Sequence, residues 1–120
     1  MKMIFSSSGK AVVFAGSVSA NLLIDCRIIK NPFREASLAG KTGDDPEVQK
    51  WLMSNAPVTL EAMRSLIYEG LGSFKTRNSG KNAKEFRVHF FCLAGVHRSR
   101  GCKNVLATYF RNRDFDVEVI

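Results

Sequence analysis

The segment Cys92–Ser99 has the residue types and the spacing of a phosphate-binding loop. It reads Cys-Leu-Ala-Gly-Val-His-Arg-Ser and lies between an apolar run, 86–91, and a helical pattern. In a strand–loop–helix arrangement, the backbone N–H groups of the loop and the positive end of the helix converge on an anion. Arg98 adds a guanidinium group that can bind two phosphoryl oxygens at once. The loop therefore predicts a site for a phosphorylated ligand.

Cysteine-dependent phosphatases and non-catalytic phosphate sensors both use a loop of this kind. In a phosphatase, Cys92 would attack phosphorus as a thiolate, Arg98 would hold the phosphoryl oxygens and Ser99 would assist departure of the cysteine. The reaction also needs an acid that protonates the leaving oxygen. The sequence does not rank the candidates for that acid, which are Asp25, Asp44 and Asp45. Both hypotheses stand on the loop alone.

The positive charge of the chain is concentrated in its second half. The formal net charge is +7, and from Lys75 to Arg113 ten basic residues face one acidic residue, Glu85, which gives a local net charge of +9. Such a field favours a polyanionic partner such as RNA, or a phosphorylated small molecule, although a solvated basic face has the same pattern. Few aromatic residues accompany these cations, so RNA contacts would be made to phosphates. The candidate RNA-binding residues are Lys75, Arg77, Lys81, Lys84, Arg100 and Lys103.

The bulk composition is that of one small globular domain. The chain has 120 residues, of which 45% are hydrophobic, enough for a single core. No apolar stretch approaches the roughly 20 residues that a membrane span needs, so no membrane partner is expected. An odd number of cysteines, three, without disulfide-like spacing predicts a cytoplasmic protein. The cysteines and histidines also lack metal-ligand spacing, so neither a metal nor another cofactor is expected.

Residue patterns predict mainly strands in the first half of the chain. β-branched and apolar residues indicate strands over 11–15 and 21–29. The residue before Pro32 disfavours helical geometry, so the second strand ends there and a loop follows over 33–45. Residues 1–9 precede the first predicted strand and are expected to form a flexible N-terminal segment.

Two helices are predicted next. Asp45 and Pro46 are typical of a helix start, with a capping carboxylate and a proline in the first turn. A second helix is expected after Pro57, with Thr59 as its cap and Gly70 or Gly72 as its end. Its apolar stripe has helical spacing and consists of Leu60, Met63, Leu66, Ile67 and Leu71.

The C-terminal half predicts a strand–phosphate loop–helix–strand unit. A basic, mobile loop over 75–84 precedes a strand over 86–91. After the phosphate loop, a helix is expected over 99–111 and a closing strand over 115–120. Such a βαβ unit implies a parallel pair of strands with a right-handed crossover. The prediction for the whole chain is a single α/β domain with a mixed, partly parallel sheet of about four strands.

Three ordered motifs resemble the C-terminal domain of the RapZ family of RNase adapter proteins. They are Asp25-Cys-Arg27-Ile-Ile-Lys-Asn31-Pro32, Thr42-Gly43-Asp44-Asp45 and the Cys92–Ser99 loop. The family pattern is similar to Asp-x-Arg-x-x-x-Asn-Pro, Thr-Gly-x-Asp and Gly-Cys-Thr-Gly-Gly-x-His-Arg-Ser, in the same order. The resemblance covers roughly residues 10–120, which we take as the domain. Two loop positions differ, since Leu93 stands where the family has threonine and Ala94 where it has glycine.

The resemblance implies an α/β domain that binds glucosamine-6-phosphate and a small regulatory RNA without catalysis. By position, the phosphate would be held by Ala94, Gly95, His97 and Arg98. Asp25 would face the sugar ammonium, and the pocket would be shaped by Arg27, Asn31 and Thr42. From the residues alone, an Asp25–Arg27 ion pair and a structural His97 remain alternatives. A homo-oligomer and a partner protein with a nucleotide-binding domain are both left open.

Overall fold

The chain folds into a four-stranded parallel sheet with four helices. A computed structural model of the chain describes residues 1–32 and 35–120. The strands are β1 (Lys2–Gly9), β2 (Leu22–Asp25), β3 (Glu85–Cys92) and β4 (Val117–Val119), in the spatial order β2-β3-β1-β4. The helices are α1 (Lys10–Phe14), α2 (Pro46–Asn55), α3 (Pro57–Arg77) and α4 (Arg98–Arg111). The predicted α/β class is confirmed, and every strand pairing is parallel where the sequence predicted a mixed sheet.

One face of the sheet carries the hydrophobic core. Alternate residues of the two central strands, among them Phe5, Val88 and Phe90, are fully buried against the longer helices. The ring of Phe5 makes edge-to-face contacts with the rings of Phe90 and Phe110, with centroids 5.5 and 6.1 Å apart. The helices contribute buried apolar side chains, which include Val48, Leu52, Leu60, Met63, Ile67, Leu71, Cys102 and Leu106. The assignment of Leu66 to the stripe of α3 is wrong: Leu66 is 47% exposed, because consecutive residues of a helix point about 100° apart and its neighbour Ile67 faces the core.

The N-terminal segment is a central strand, which corrects the expectation of a flexible segment. Residues 2–9 form β1, which pairs with β3 on one side and with β4 on the other. The strand is difficult to predict from the sequence because three of its eight residues are consecutive serines, which are not typical of a buried central strand. In the fold, Ser6 and Ser8 hydrogen bond through their hydroxyls to the two ring nitrogens of buried His89, both at 2.7 Å. Their polar groups are thereby satisfied inside the sheet.

Residues 10–14 form a helix, so the predicted first strand at 11–15 is wrong. β1 and β2 are parallel, with β3 between them. After β1 the chain must therefore return from the carboxyl end of the sheet to its amino end before β2 can begin. The short helix α1 begins this crossover on the face opposite the core. There the ring of Phe14 contacts the ring of Phe91 at a centroid distance of 6.1 Å. Topology outweighs the β-propensity of Val12 and Val13.

The helix α3 is longer than the sequence predicted. Pro57 opens it and Ala56 is its N-cap, so Thr59 is not the cap. The helix continues through Gly70 and Gly72, which makes the prediction of a glycine stop wrong. A Cβ at Gly70 would lie 3.2 Å from the Phe86 ring, and this close packing on the sheet compensates for the weak helix propensity of glycine. The basic loop expected from residue 75 therefore begins only at residue 78.

The remaining predicted elements are confirmed with shifted bounds. The side chain of Asp45 caps α2 by accepting a hydrogen bond from the Glu47 N–H. Of the predicted loop over 33–45, residues 33 and 34 lie outside the described residues, and the rest is irregular. The closing strand is β4, which is parallel to β3 with β1 between them. In the part of the chain that is described, no helix is long and apolar enough to cross a membrane.

The 42–44 segment, near the end of the 33–45 loop, packs against α4 at a contact between two glycines. A Cβ at Gly43 would lie 2.1 Å from the backbone nitrogen of Gly101, so no side chain fits there. The carbonyl of Gly43 accepts hydrogen bonds from the side-chain amides of Gln49 (3.1 Å) and Asn104 (3.0 Å). The contact therefore joins the 42–44 segment to the first turns of α2 and α4.

We expect Gly43→Ala to lower the free energy of unfolding by about 1–3 kcal/mol, because the added methyl group forces the 42–44 segment away from α4. Gly72→Ala is the matched control, since a Cβ at Gly72 meets no atom within 4 Å. In the interior of α3 that change should raise stability by about 0.5–1 kcal/mol. Urea denaturation of the three proteins measures both values. Equal effects of the two substitutions would contradict the packing described here.

Candidate functional site

The candidate site lies at the carboxyl edge of the parallel sheet. In register, Gly9 is opposite Cys92, and Asp25 is opposite Phe91, so three strand ends meet at this edge. The loop that leaves β3 connects directly to α4, which begins at Arg98. In parallel α/β sheets, ligands bind at this edge because the loops and the helix N-termini converge there.

Gly95 gives the loop its shape. It has a φ of +78°, in the left-handed region. A Cβ at this position would lie 2.5 Å from the backbone nitrogen of Gly9 and 2.6 Å from the carbonyl carbon of Ser8. The loop therefore rests on the end of β1 through a contact that admits no side chain.

Cys92 is buried beneath the loop and bound into it. Its sulfur accepts a hydrogen bond from the Gly95 N–H at 3.2 Å and lies 3.2 Å from the hydroxyl of Ser99. The same hydroxyl lies 3.2 Å from the carbonyl oxygen of Ser8, so its single hydrogen can be donated either to that oxygen or to the sulfur. Burial acts to raise the pKa of the Cys92 thiol, but the hydrogen bonds from Ser99 and Gly95 and the charge of Arg98 outweigh it and lower the pKa below its ordinary value.

A small cavity opens above the loop. Its volume is about 50 Å³, and it is lined by Asn31, Cys92, Leu93, Ala94, Val96, His97 and Arg98. Because one water molecule occupies about 30 Å³ in the liquid, the cavity has room for a small group such as a phosphoryl group and not for a whole sugar. The structure thus brings together Asn31, Ala94, His97 and Arg98 from the predicted set, and Gly95 shapes the same loop.

Arg98 lines the cavity, and two backbone carbonyl oxygens hold its guanidinium group in place. Its Nη1 donates hydrogen bonds to the carbonyl oxygens of Arg27, at 3.1 Å, and Ile29, at 3.2 Å. These bonds fix the guanidinium plane, and the Nε and Nη2 hydrogens are the ones left to reach an anion in the cavity. The arginine therefore also joins the turn after β2 to the phosphate loop.

Asp25 and Arg27 lie at the same edge but are paired with each other. The Arg27 Nη2 lies 2.7 Å from Oδ2 of Asp25, and the Arg27 N–H donates to Oδ1 at 2.9 Å. The hydrogen bond from Arg27 is the main cause of a lowered Asp25 pKa. The Arg27 guanidinium also packs over the rings of Phe14 and Phe91. Neither residue lines the small cavity, and the ion pair that the sequence left as an alternative is present.

Thr42 supports the loop from the side. Its hydroxyl accepts a hydrogen bond from the Asp44 N–H at 3.2 Å, and the next residue, Gly43, donates its N–H to the carbonyl of Val96 at 2.8 Å. Thr42 is therefore close to the phosphate loop without lining its cavity.

The basic residues expected around the loop are divided between two ends of the sheet. Lys75, Arg77, Lys81 and Lys84 are exposed and lie where β3 begins. The eight residues of β3 separate them from the loop by roughly 25 Å. The local excess of +9 that the sequence placed around the loop is thus not one patch.

The other two candidate RNA-binding residues lie on α4. Lys103 is only 6% exposed, and its ammonium donates to the carbonyl of Ile120 at 3.1 Å, so it does not belong to a basic surface. Burial also lowers its pKa. Arg100 is half-buried and lies 3.7 Å from a carboxylate oxygen of Asp44. Lys103 is thus held inside the fold, whereas Arg100 forms a partly exposed ion pair beside the loop.

Sequence reasoning missed the contribution of β1 to the site. Ser8 and Gly9 form the backbone surface on which the loop rests, and the carbonyl of Ser8 binds Ser99. A glycine directly after a strand is a signal for close backbone approach, but the strand itself was not recognised. Within residues 1–32 and 35–120, no group of three or more His, Cys, Asp or Glu side chains could hold a metal ion.

We expect Ser99→Ala to raise the pKa of Cys92, because the substitution removes a hydrogen bond that stabilises the thiolate. The pKa is measured from the absorbance of the thiolate as a function of pH. The titration of each protein's Cys92→Ser counterpart is subtracted, which removes the absorbance of Cys26 and Cys102. Ser73→Ala removes an exposed hydroxyl on α3 and should leave the titration unchanged. An unchanged Cys92 pKa in Ser99→Ala would show that the hydroxyl does not act on the sulfur.

Comparison with known proteins identifies the family of the chain. The family model described as the RapZ C-terminal domain matches residues 5–120. A nucleotide-binding protein of Colwellia psychrerythraea is 35% identical over 103 residues, and one of Heliobacterium modesticaldum is 36% identical over 101 residues. These matches cover 84% and 83% of this chain but 35% and 33% of the relatives, so the chain spans about a third of their length. The chain belongs to the RapZ C-terminal domain family.

Proposed function

We propose that this chain is a non-catalytic regulatory module that binds a phosphorylated metabolite, with an amino-sugar phosphate such as glucosamine-6-phosphate as the first candidate. The observation that carries the proposal is the small cavity at the N-terminus of α4 with Arg98 in its wall. Loop N–H groups, the helix dipole and a fixed guanidinium all favour an anion of phosphate size there. The sugar ring would lie outside the cavity, towards the end of β2.

Asp25 supports the preference for an amino sugar. It lies at the end of β2 and is partly exposed, with 43% of its side chain accessible. An exposed ion pair such as Asp25–Arg27 is weak, because solvent screens both charges, so a ligand ammonium can replace the guanidinium at small cost. The carboxylate then selects the amine while the loop selects the phosphate.

The phosphatase alternative is supported by one observation, the lowered pKa of Cys92 in the wall of the cavity. The three candidate acids do not support it, because each is engaged elsewhere. Asp25 is paired with Arg27, which lowers its pKa and so opposes the proton that a general acid must carry. Asp44 binds Asn104, and Asp45 caps α2. We therefore assign Cys92 to the shape of the loop.

A second proposed activity is RNA binding at the opposite edge of the sheet. Lys75, Arg77, Lys81 and Lys84 are exposed there, without an acidic residue among positions 75–84. These long cationic side chains would contact RNA phosphates rather than stack on bases. The relatives are named nucleotide-binding proteins, so nucleoside monophosphates belong among the ligands to be compared at the phosphate loop.

We expect glucosamine-6-phosphate to raise the melting temperature of the chain more than glucose-6-phosphate or glucosamine. A ligand that binds only the folded state at 100 times its Kd stabilises by about 2.7 kcal/mol. Arg98→Gln should abolish this shift, and Asp25→Asn should remove only the preference for the amino sugar. Lys50→Gln on the exposed side of α2 is the control and should behave as the parent chain.

Activity towards p-nitrophenyl phosphate decides between the two hypotheses. Turnover that disappears in Cys92→Ser would overturn the non-catalytic proposal. Sugar-phosphate stabilisation without turnover would overturn the phosphatase.

We expect RNA affinity to fall steeply with salt, because binding releases counterions from the RNA phosphates. Lys81→Gln should reduce the slope of log K against log salt by about 0.7, the value for one contact to a single strand. Lys50→Gln removes one exposed lysine elsewhere and should leave the slope unchanged. Filter binding or fluorescence anisotropy between low and high salt measures both. A salt-insensitive interaction, or none, would contradict the proposed basic surface.

A further inference from the structure

A larger cavity lies between α3 and the C-terminal half of α4, away from the phosphate loop. Its volume is about 370 Å³, within the range of roughly 300–1,000 Å³ that small-molecule pockets occupy. From Arg98 at the phosphate loop to Tyr109 in this cavity, α4 rises by about 16 Å. We call this cavity the α3–α4 pocket. It is a separate site, and nothing in the proposed function uses it.

The floor of the α3–α4 pocket is apolar. Leu60 and Leu106 are buried beneath it, and Met53 lines its rim with 49% of its surface exposed. An exposed methionine next to buried leucines offers an adaptable apolar contact, because its side chain is unbranched and polarisable. The floor therefore suits a flat apolar group.

The wall of the α3–α4 pocket is cationic. The guanidinium carbons of Arg64 and Arg113 lie 4.6 and 3.6 Å from the ring centroid of Tyr109. Within the described residues, neither arginine forms a salt bridge, and no carboxylate lines the pocket. The nearby C-terminus of α4 is the negative end of the helix dipole and contributes no positive charge. The positive charge of the pocket therefore comes from these two arginines.

We propose that the α3–α4 pocket binds a small organic anion with a flat apolar body, such as an aromatic carboxylate or sulfonate. The apolar body would cover Leu60, Leu106 and Met53, and the anionic group would bind the guanidinium groups of Arg64 and Arg113. A neutral apolar ligand would desolvate two charges without compensation. An inorganic anion would leave the apolar floor uncovered. Because the pocket combines an apolar floor with two guanidinium groups, it favours a ligand that is both apolar and anionic.

The test uses naphthalene-2-sulfonate as the probe and amide chemical shifts of the whole chain as the readout. We expect saturable shift changes at residues 105–113 and around Arg64, with no competition from inorganic phosphate at the Cys92–Ser99 loop. 2-Naphthalenemethanol, the neutral counterpart, and sodium sulfate should bind at least tenfold more weakly. Shift changes confined to residues 92–99, or equal binding of the neutral compound, would overturn the proposal.

Substitutions of the two arginines separate charge from folding. Both Arg64→Gln and Arg113→Gln should weaken naphthalene-2-sulfonate binding about tenfold, since each removes a charge-assisted contact. Arg113→Lys should weaken binding less than Arg113→Gln, because it keeps the charge and loses only the planar fork of the guanidinium. Lys50→Gln lies outside the pocket lining and should bind as the parent chain does. Unchanged affinity in both glutamine variants, with native spectra, would overturn the proposal.

Discussion

The contact between Gly95 and the end of β1 is the constraint on which the site depends. Gly95 has a left-handed backbone and lies so close to the backbone of Ser8 and Gly9 that it could carry no Cβ. It fixes the height of the loop above the sheet. The Gly95 N–H thereby reaches the sulfur of Cys92, and Ser99 reaches both that sulfur and the carbonyl of Ser8.

The other residues of the site are positioned by hydrogen bonds and an ion pair that involve charged side chains. Arg98 is turned towards the segment after β2 by hydrogen bonds to two backbone carbonyls, which ties three strand ends into one edge. Asp25 and Arg27 then lie beside the cavity as an exposed pair that a ligand can rearrange. Their partial exposure keeps the pair weak, whereas the buried hydrogen bonds of Cys92 make the loop rigid. The edge thus joins a rigid loop to an adjustable neighbouring ion pair.

Errors in the predicted elements arose where long-range packing outweighs local preference. The serines of β1 do not look like a central strand, but the ring nitrogens of His89 satisfy them. Val12 and Val13 favour a strand by propensity, but the crossover that parallel topology requires places them in a helix. Gly70 does not stop α3, because its missing side chain admits the ring of Phe86. In each case a partner distant in sequence decides the local structure.

The sequence by itself determined the strand–loop–helix unit around Cys92–Ser99, the α/β class and the family that three ordered motifs suggested, because residue types at short spacing carry that information. It also determined the Asp45 cap and four of the five residues in the apolar stripe of α3, which depend on neighbours within a few turns. Only the tertiary structure decided where the charges lie. Lys75–Lys84 precede β3 and the loop follows it, so the length of the strand separates groups that are continuous in sequence. Lys103 is turned inwards by the packing of α4 against the sheet, which no local pattern of charges encodes.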